Sequence, residues 1–102
     1  MATTKIVIEG NKATLVLEGR LDTPSAPQVE QDIKPLYGDG LETLLIDCSA
    51  MKYISSSGIR IIISLYKFFS KKGGEVIVKG LTPEVKEVFD MTGLLDIFKI
   101  ED

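Results

Sequence analysis

Short apolar runs separated by polar turns predict the strands of this chain. Lys5–Glu9 and Ala13–Glu18 are rich in β-branched residues and leucine, and residues 10–12 between them suit a tight reversal, so we expect a β-hairpin. Leu44–Asp47 opens with three apolar residues and no polar break, which is typical of a strand buried on both faces. Glu75–Val78 is the next predicted strand.

The first helix is predicted to follow the hairpin. Ser25 with Gln28 three residues later fits a capping box, and Thr23 followed by proline is a rival N-cap. Pro35 and two nearby glycines should end this helix. Its core-facing residues recur at helical spacing and are Val29, Ile33 and Leu36.

A second helix, from Ser57 to about Lys71, is apolar over most of its circumference. A narrow polar stripe comprises Arg60, Ser64, Lys67 and Lys71, and the residues opposite it are Ile62, Leu65 and Phe69, which should face the core. Ile61 and Phe68 form one apolar shoulder of this helix, and Ile59 and Ile63 form the other. Either neighbouring helices cover these shoulders, or a partner protein docks there.

The remaining elements complete an α/β pattern. Thr82 as N-cap, with Pro83 and Glu84 in the first turn, should open a third helix that ends at Gly93. Leu94–Ile100 is predicted to be a short final element at the edge of the sheet. Strand–helix alternation after an initial hairpin predicts a mixed sheet in which the later strands are parallel and connected by helices.

Composition limits what this domain can do. The 102 residues suffice for one domain, which we place at residues 1–102. The net charge is −3 with scattered basic residues, so nucleic-acid binding is not expected. The N-terminus lacks a signal-peptide pattern and no apolar run is long enough to insert into a membrane, so we expect a cytoplasmic protein. The single cysteine, Cys48, follows the central strand and is interpreted as a small buried hydrophobic residue.

The absence of histidine excludes a Ser-His-Asp triad and histidine metal ligands. An enzyme that used Ser57 as its nucleophile would need Lys52 or Lys79 as the base, which makes an enzymatic role a poor fit. Neither a P-loop nor a G-x-G-x-x-G pattern is present, and we expect neither a cofactor nor a metal ion.

Three consecutive serines, Ser55, Ser56 and Ser57, stand before Gly58 at the predicted start of the second helix. A serine in this position commonly caps the helix by accepting a backbone hydrogen bond. The same end of a helix concentrates unpaired N–H groups and partial positive charge, which favour a phosphate. The residues alone therefore leave capping and phosphorylation open.

Three stretches of the chain resemble the STAS domain family, and within it the stand-alone bacterial anti-sigma factor antagonists. They are LEGRLDTPSA at residues 17–26, IDCSAMKYISSSGIRIII at residues 46–63 and MTGLLDIFKIED at residues 91–102. The first is similar to the family's turn into its first helix, and the second to its signature of strand, hydroxyl loop and helix start. The third is similar to the family's Thr-Gly-Leu followed by a terminal apolar segment.

This resemblance implies a protein whose phosphorylation controls partner binding. The family's phosphoacceptor is the hydroxyl residue before the glycine, which is Ser57 here. The unphosphorylated form would bind an anti-sigma factor, a serine kinase of the histidine-kinase-like ATPase fold, and so release the sigma factor. Phosphorylation would end that binding, and a serine phosphatase would reset the protein. The residues expected at the partner surface are Asp22, Ser55, Ser56, Gly58, Ile61 and Phe68.

Two positions depart from the family pattern. The family usually has aspartate where this chain has Ser55, and often has an acidic residue where this chain has Arg20, whereas Asp22 matches the family's aspartate. The alternative function is a STAS subunit or scaffold that is never phosphorylated, for example in a lipid transporter.

Overall fold

The computed structural model of the chain describes residues 2–38 and 40–101 and contains one five-stranded sheet. The strands lie in chain order across the sheet; the first pair is antiparallel and the other pairs are parallel. This arrangement confirms the predicted mixed sheet, with the third strand at its centre. The strands are β1 (Ala2–Glu9), β2 (Lys12–Leu21), β3 (Thr43–Ile54), β4 (Glu75–Lys79) and β5 (Lys99–Glu101).

The connections between the parallel strands carry the helices. They are α1 (Ala26–Asp32), α2 (Ser56–Lys71) and α3 (Pro83–Met91), with short 3-10 helices at Lys34–Tyr37 and Leu94–Asp96. The buried side chains of the strands and of all three helices form one cluster, which places the helices on the same face of the sheet. Within the described residues, no helix is both long enough and apolar enough to cross a lipid bilayer.

The core lies between this face of the sheet and α2. Ile46 of β3 and Ile62 of α2 are fully buried, as the apolar pattern predicts. The predicted core residues Leu65 and Phe69 are buried, and the polar stripe of α2 is exposed. The prediction that β3 is buried on both faces is wrong, because Leu45 points to the opposite face and is only half-buried. Helices cover one face of this sheet, so only alternate residues of β3 enter the core.

The predicted end of the central strand at Asp47 is wrong, because β3 continues to Ile54. Beyond Asp47 this strand loses its pairing with β4 but keeps its parallel pairing with β2. Two register shifts in that pairing accommodate extra residues of β3, as β-bulges do. The extension brings Tyr53 beside Arg20 and Ile54 beside Leu21.

The first helix is shorter than predicted. It ends at Asp32, and residues 34–37 form a 3-10 helix that contains Pro35. Proline cannot donate the backbone hydrogen bond that would continue an α-helix. The predicted core residues Val29, Ile33 and Leu36 are nevertheless all buried.

Candidate functional site

Helix α2 begins at Ser56, one residue earlier than predicted, and Ser55 is its N-cap. The Ser55 hydroxyl accepts a hydrogen bond from the Gly58 N–H at 3.3 Å. The Ser55 N–H donates to the Leu21 carbonyl at 2.8 Å, which fixes the start of α2 to the end of β2. Aspartate and serine are both favoured N-cap residues, so Ser55 caps α2 as an aspartate could, without adding its charge.

Gly58 lies in the third position of α2 and is buried. A Cβ atom at this position would lie 2.6 Å from Leu21 Cγ and 2.8 Å from Ile54 Cγ1, distances that well-packed atoms do not adopt. A side chain at this position does not fit, because the helix backbone packs directly on the Leu21 and Ile54 side chains at the ends of β2 and β3. This close packing sets how far Ser56 and Ser57 project from the sheet.

Ser57 is half-buried, whereas Ser56 is exposed. The Ser57 and Thr23 hydroxyl oxygens are 3.2 Å apart and share a hydrogen bond. Among the side-chain hydrogen bonds of residues 2–38 and 40–101, this is the one that Ser57 makes, so no lysine base contacts it there. The hydroxyl of Ser57 is thus held at the surface, and the geometry gives no support to a nucleophile activated by Lys52 or Lys79.

Asp22 and Ser25, which stand on either side of Thr23 and Pro24 in the sequence, form a reciprocal pair. The Ser25 side chain accepts from the Asp22 N–H at 3.0 Å, and Asp22 Oδ1 accepts from the Ser25 N–H at 3.1 Å and from its hydroxyl at 2.8 Å. Ser25 is the N-cap of α1, as predicted, but its side chain makes no capping hydrogen bond to the helix. The predicted capping box with Gln28 is therefore wrong, and the rival Thr23 is not the N-cap. Gln28 instead donates to Asp32.

The hydrogen bonds to Asp22 stabilise its ionised form. They lower the pKa of Asp22 below its ordinary value of 3.8, with the Ser25 side-chain hydrogen bond as the largest cause. Arg20 Nε lies 3.8 Å from Asp22 Oδ2 and lowers the same pKa further. At neutral pH, Asp22 therefore carries a fixed negative charge next to Thr23.

A contact between Arg20 and Tyr53 was not predicted from the sequence. The Arg20 guanidinium carbon lies 4.3 Å from the centre of the Tyr53 ring, a cation–π distance, and Tyr53 is 40% exposed. The pair depends on the extension of β3, which the sequence pattern did not indicate. We define the serine surface as the exposed and half-buried residues at the end of β2, the end of β3 and the start of α2: Arg20, Asp22, Thr23, Tyr53, Ser56 and Ser57.

Two of the predicted partner-binding residues do not lie on an exposed surface. Ile61 is only 5% exposed and belongs to the core, and Gly58 is buried as described above. Phe68 remains half-buried, but the Tyr37 ring lies against its edge at 5.0 Å and Lys72 lies over it at 4.7 Å. Neighbouring elements of the same chain thus cover this shoulder of α2, because α1 and the 3-10 helix after it fold against it.

Replacing Gly58 with alanine should destabilise the domain by about 1–3 kcal/mol, because the added methyl group must displace Leu21 and Ile54. This cost should outweigh the gain of about 1 kcal/mol in helix propensity. Chemical denaturation measures the change, and Ser70→Ala on the exposed side of α2 is the matched control, with an expected effect within about 0.5 kcal/mol. Equal effects of the two variants would show that Gly58 is not under steric constraint.

The Asp22–Ser25 pair predicts a residue-specific pKa response. Ser25→Ala should raise the pKa of Asp22 toward 3.8, because the largest stabilising hydrogen bond is lost. Ser49→Ala is the matched control: Ser49 lowers the pKa of Asp47 by the same kind of bonds, so this variant should shift Asp47 and leave Asp22 unchanged. NMR titration of the carboxyl carbons measures both groups.

The sign of the pH effect follows from these lowered pKa values. A carboxylate whose pKa is lower in the folded state stabilises the fold above its unfolded pKa, and that contribution disappears as the pH falls through the folded value. The unfolding free energy of Ser25→Ala should therefore depend less on pH in the acid range than that of the parent protein. An unchanged pKa of Asp22 in Ser25→Ala would contradict the assigned cause.

The comparisons with known proteins agree with this architecture. The model of the STAS domain family matches residues 4–102. An anti-sigma-B factor antagonist of Bacillus subtilis is 30% identical over 90 residues, which cover 88% of this chain and 82% of that protein. The crystal structure of an anti-sigma factor antagonist from Mycobacterium paratuberculosis superposes with a TM-score of 0.87 at 27% identity, covering 99% of this chain and 86% of that one.

A more distant structure shares the fold alone. It is the Bacillus cell fate determinant SpoIIAA in its phosphorylated form, with a TM-score of 0.75 and 17% identity over 96% of this chain and 90% of that one. The family resemblance seen in three separate stretches of sequence is confirmed by a match that extends over nearly the whole length. The chain belongs to the STAS domain family.

Proposed function

We propose that this protein is an anti-sigma factor antagonist that acts as a phosphorylation-controlled binding switch. Its unphosphorylated form binds an anti-sigma factor and thereby releases a sigma factor. The observation that carries the proposal is the presentation of Ser57 at the surface, on a helix start that Ser55 and Gly58 fix to the sheet. The relatives named as anti-sigma factor antagonists support the same function.

The start of α2 is electrostatically suited to a phosphate. The first turn of α2 contains no acidic residue, and Ser55 stands where the family usually has a negative charge. A phosphate on Ser57 would add about −1.5 to −2 charge beside the unpaired N–H groups of a 16-residue helix, a favourable placement. The domain should therefore stay folded when Ser57 is modified, and SpoIIAA shows that a protein of this fold exists in a phosphorylated form.

Phosphorylation would change the serine surface in two ways. The phosphate replaces the hydroxyl proton of Ser57, so Ser57 could no longer donate to Thr23 and could only accept from it. It also adds charge at the contact with Thr23, which follows the ionised Asp22 in the sequence. A partner that covers the unmodified surface would then have to desolvate a strongly hydrated group, which weakens docking.

The family resemblance also supplies the other components of the proposed cycle. The anti-sigma factor would be a serine kinase of the histidine-kinase-like ATPase fold, a serine phosphatase would remove the phosphate, and this chain would be their substrate in the cytoplasm. The alternative of a STAS subunit that is never phosphorylated was motivated mainly by Ser55. Because Ser55 caps α2 as aspartate would, this departure leaves the presentation of Ser57 intact and no longer favours that alternative.

Partner binding by Ser57 variants tests the proposal. Ser57→Ala should bind the anti-sigma factor encoded in the same genome about as tightly as the parent protein, since a small uncharged side chain remains. Ser57→Asp should bind at least tenfold more weakly, because a carboxylate must be desolvated at the interface. Isothermal titration calorimetry measures both affinities, and circular dichroism checks that both variants are folded.

Ser70→Asp is the matched control, because it adds the same charge to an exposed position about 20 Å further along α2. It should bind like the parent protein. Aspartate has about half the charge of a phosphate, so the parent protein phosphorylated on Ser57 is the deciding sample. Tight binding by both that sample and Ser57→Asp would show that Ser57 does not control the partner.

A further inference from the structure

Strand β1 is an outer strand of the sheet and has unusually exposed apolar side chains. It pairs with β2 along one edge over its whole length of eight residues. Val7 is 51% exposed and Ile8 is 48% exposed, although β1 is otherwise part of a well-packed sheet. Long, apolar edge strands are rare in monomeric proteins, because their unpaired backbone groups can pair with another chain.

The backbone of β1 offers regularly spaced hydrogen-bonding groups along its outer edge. Glu9 and Lys12 close a two-residue turn whose first residue, Gly10, has a φ of 62°. The closing pair of such a turn is hydrogen-bonded, and along an antiparallel ladder hydrogen-bonded pairs alternate with pairs that are not hydrogen-bonded. Residues of the second kind direct their backbone groups away from the partner strand. The N–H and C=O groups of Ile6 and Ile8 therefore point away from β2, toward the outer edge.

The sequence of β1 is complementary to itself in one antiparallel register. When Val7 lies opposite Val7 of a second copy, Lys5 lies opposite Glu9 on the same face and Ile6 lies opposite Ile8 on the other face. Each pair occurs twice because of the two-fold symmetry. Cross-strand ion pairs and apolar pairs of this kind stabilise a sheet.

The neighbouring symmetric registers lack this complementarity. Centring the pair on Ile6 would place Lys5 opposite Val7, and centring it on Ile8 would place Glu9 opposite Val7. Both would leave the charges of Lys5 and Glu9 without an opposite charge directly across the strand pair. Charge complementarity therefore selects the register centred on Val7.

We propose that a second copy of this chain pairs with β1 in this register, which joins the two sheets into one continuous sheet across a two-fold axis at Val7. The contact would cover one side of both exposed apolar side chains and satisfy the outer backbone groups of Ile6 and Ile8. One strand pair is a small interface compared with the roughly 1,200 Å² of a stable complex, so the dimer forms in a concentration-dependent way. No residue of β1 belongs to the serine surface, so this interaction is independent of the proposed switch.

Disulfide trapping tests the two-fold axis directly. Val7→Cys places two cysteines opposite each other in a pair that is not hydrogen-bonded, where the Cα atoms are about 4.5 Å apart and a disulfide can form. Lys5→Cys is the matched control on the same face of the same strand. Its two cysteines would be about 13 Å apart, which is too far for a disulfide. Cys48 does not compete, because burial raises the pKa of its thiol to about 12.

Under mild oxidation, Val7→Cys should give a covalent dimer on non-reducing gels at least ten times faster than Lys5→Cys at the same protein concentration. Equal rates, or no dimer with either variant, would overturn the proposal.

Charge exchange provides a second, non-covalent test by sedimentation equilibrium. The parent protein should show a concentration-dependent dimer, and Lys5→Glu should weaken it about tenfold by placing like charges opposite each other. The double variant Lys5→Glu, Glu9→Lys should restore dimerisation, because the two signs are exchanged. Lys52→Glu, an exposed substitution outside β1 with the same charge change, should leave the dimer unaffected. A parent protein that stays monomeric, or a double variant no better than Lys5→Glu, would overturn the proposal.

Discussion

The close approach of Gly58 to Leu21 and Ile54 is the contact on which the geometry of the site depends. It joins the end of β2 to the end of β3 and the start of α2, which follow more than 30 residues later in the sequence. The hydrogen bonds of Ser55, to Leu21 on one side and to Gly58 on the other, fix the same three elements. Ser57 directly precedes this glycine, so its position is set by core packing and not by a mobile loop.

This arrangement separates the stability of the fold from the chemistry of the site. Ser55 caps α2, and Gly58 allows the close packing against the sheet. Among the described residues, the side-chain hydrogen bond of Ser57 is the one with Thr23, so neither Ser56 nor Ser57 is needed for the cap or for this packing. A charged group on Ser57 therefore changes what a partner contacts without removing a contact that the core needs. A switch that acts through its surface requires this separation, since modification must alter binding and leave the domain folded.

The sequence was sufficient for the order of the elements and for the core of α2, because both follow from local periodicity. It was insufficient where a contact depends on residues distant in the chain. The extension of β3 to Ile54 was missed because this part of the strand pairs with β2 alone and contains two bulges, so its apolar and polar residues do not alternate regularly. Ile61 was wrongly assigned to the partner surface. A helical wheel shows which residues of α2 share a face, but it does not show that α1 packs against that face.

The candidate site shows the same division. The family resemblance pointed to Ser57 and Asp22 as site residues, and this assignment remains a prediction. Ser25 was correctly predicted as the N-cap of α1, but its side chain bonds Asp22 and not Gln28. The contacts of Ser57 with Thr23 and of Arg20 with Tyr53 each join residues more than 30 positions apart. No local sequence pattern predicts contacts over such separations. Only the fold brings these side chains together.

Intact-mass spectrometry after incubation with ATP and the kinase-type anti-sigma factor from the same genome tests the central claim most directly. The account predicts the addition of a single phosphate, located on Ser57 by peptide fragmentation. Ser56→Ala should still be modified, because this exposed neighbour is not the acceptor, whereas Ser57→Ala should gain no mass. A phosphate found on Ser55 or Ser56 with Ser57 unmodified would contradict the account.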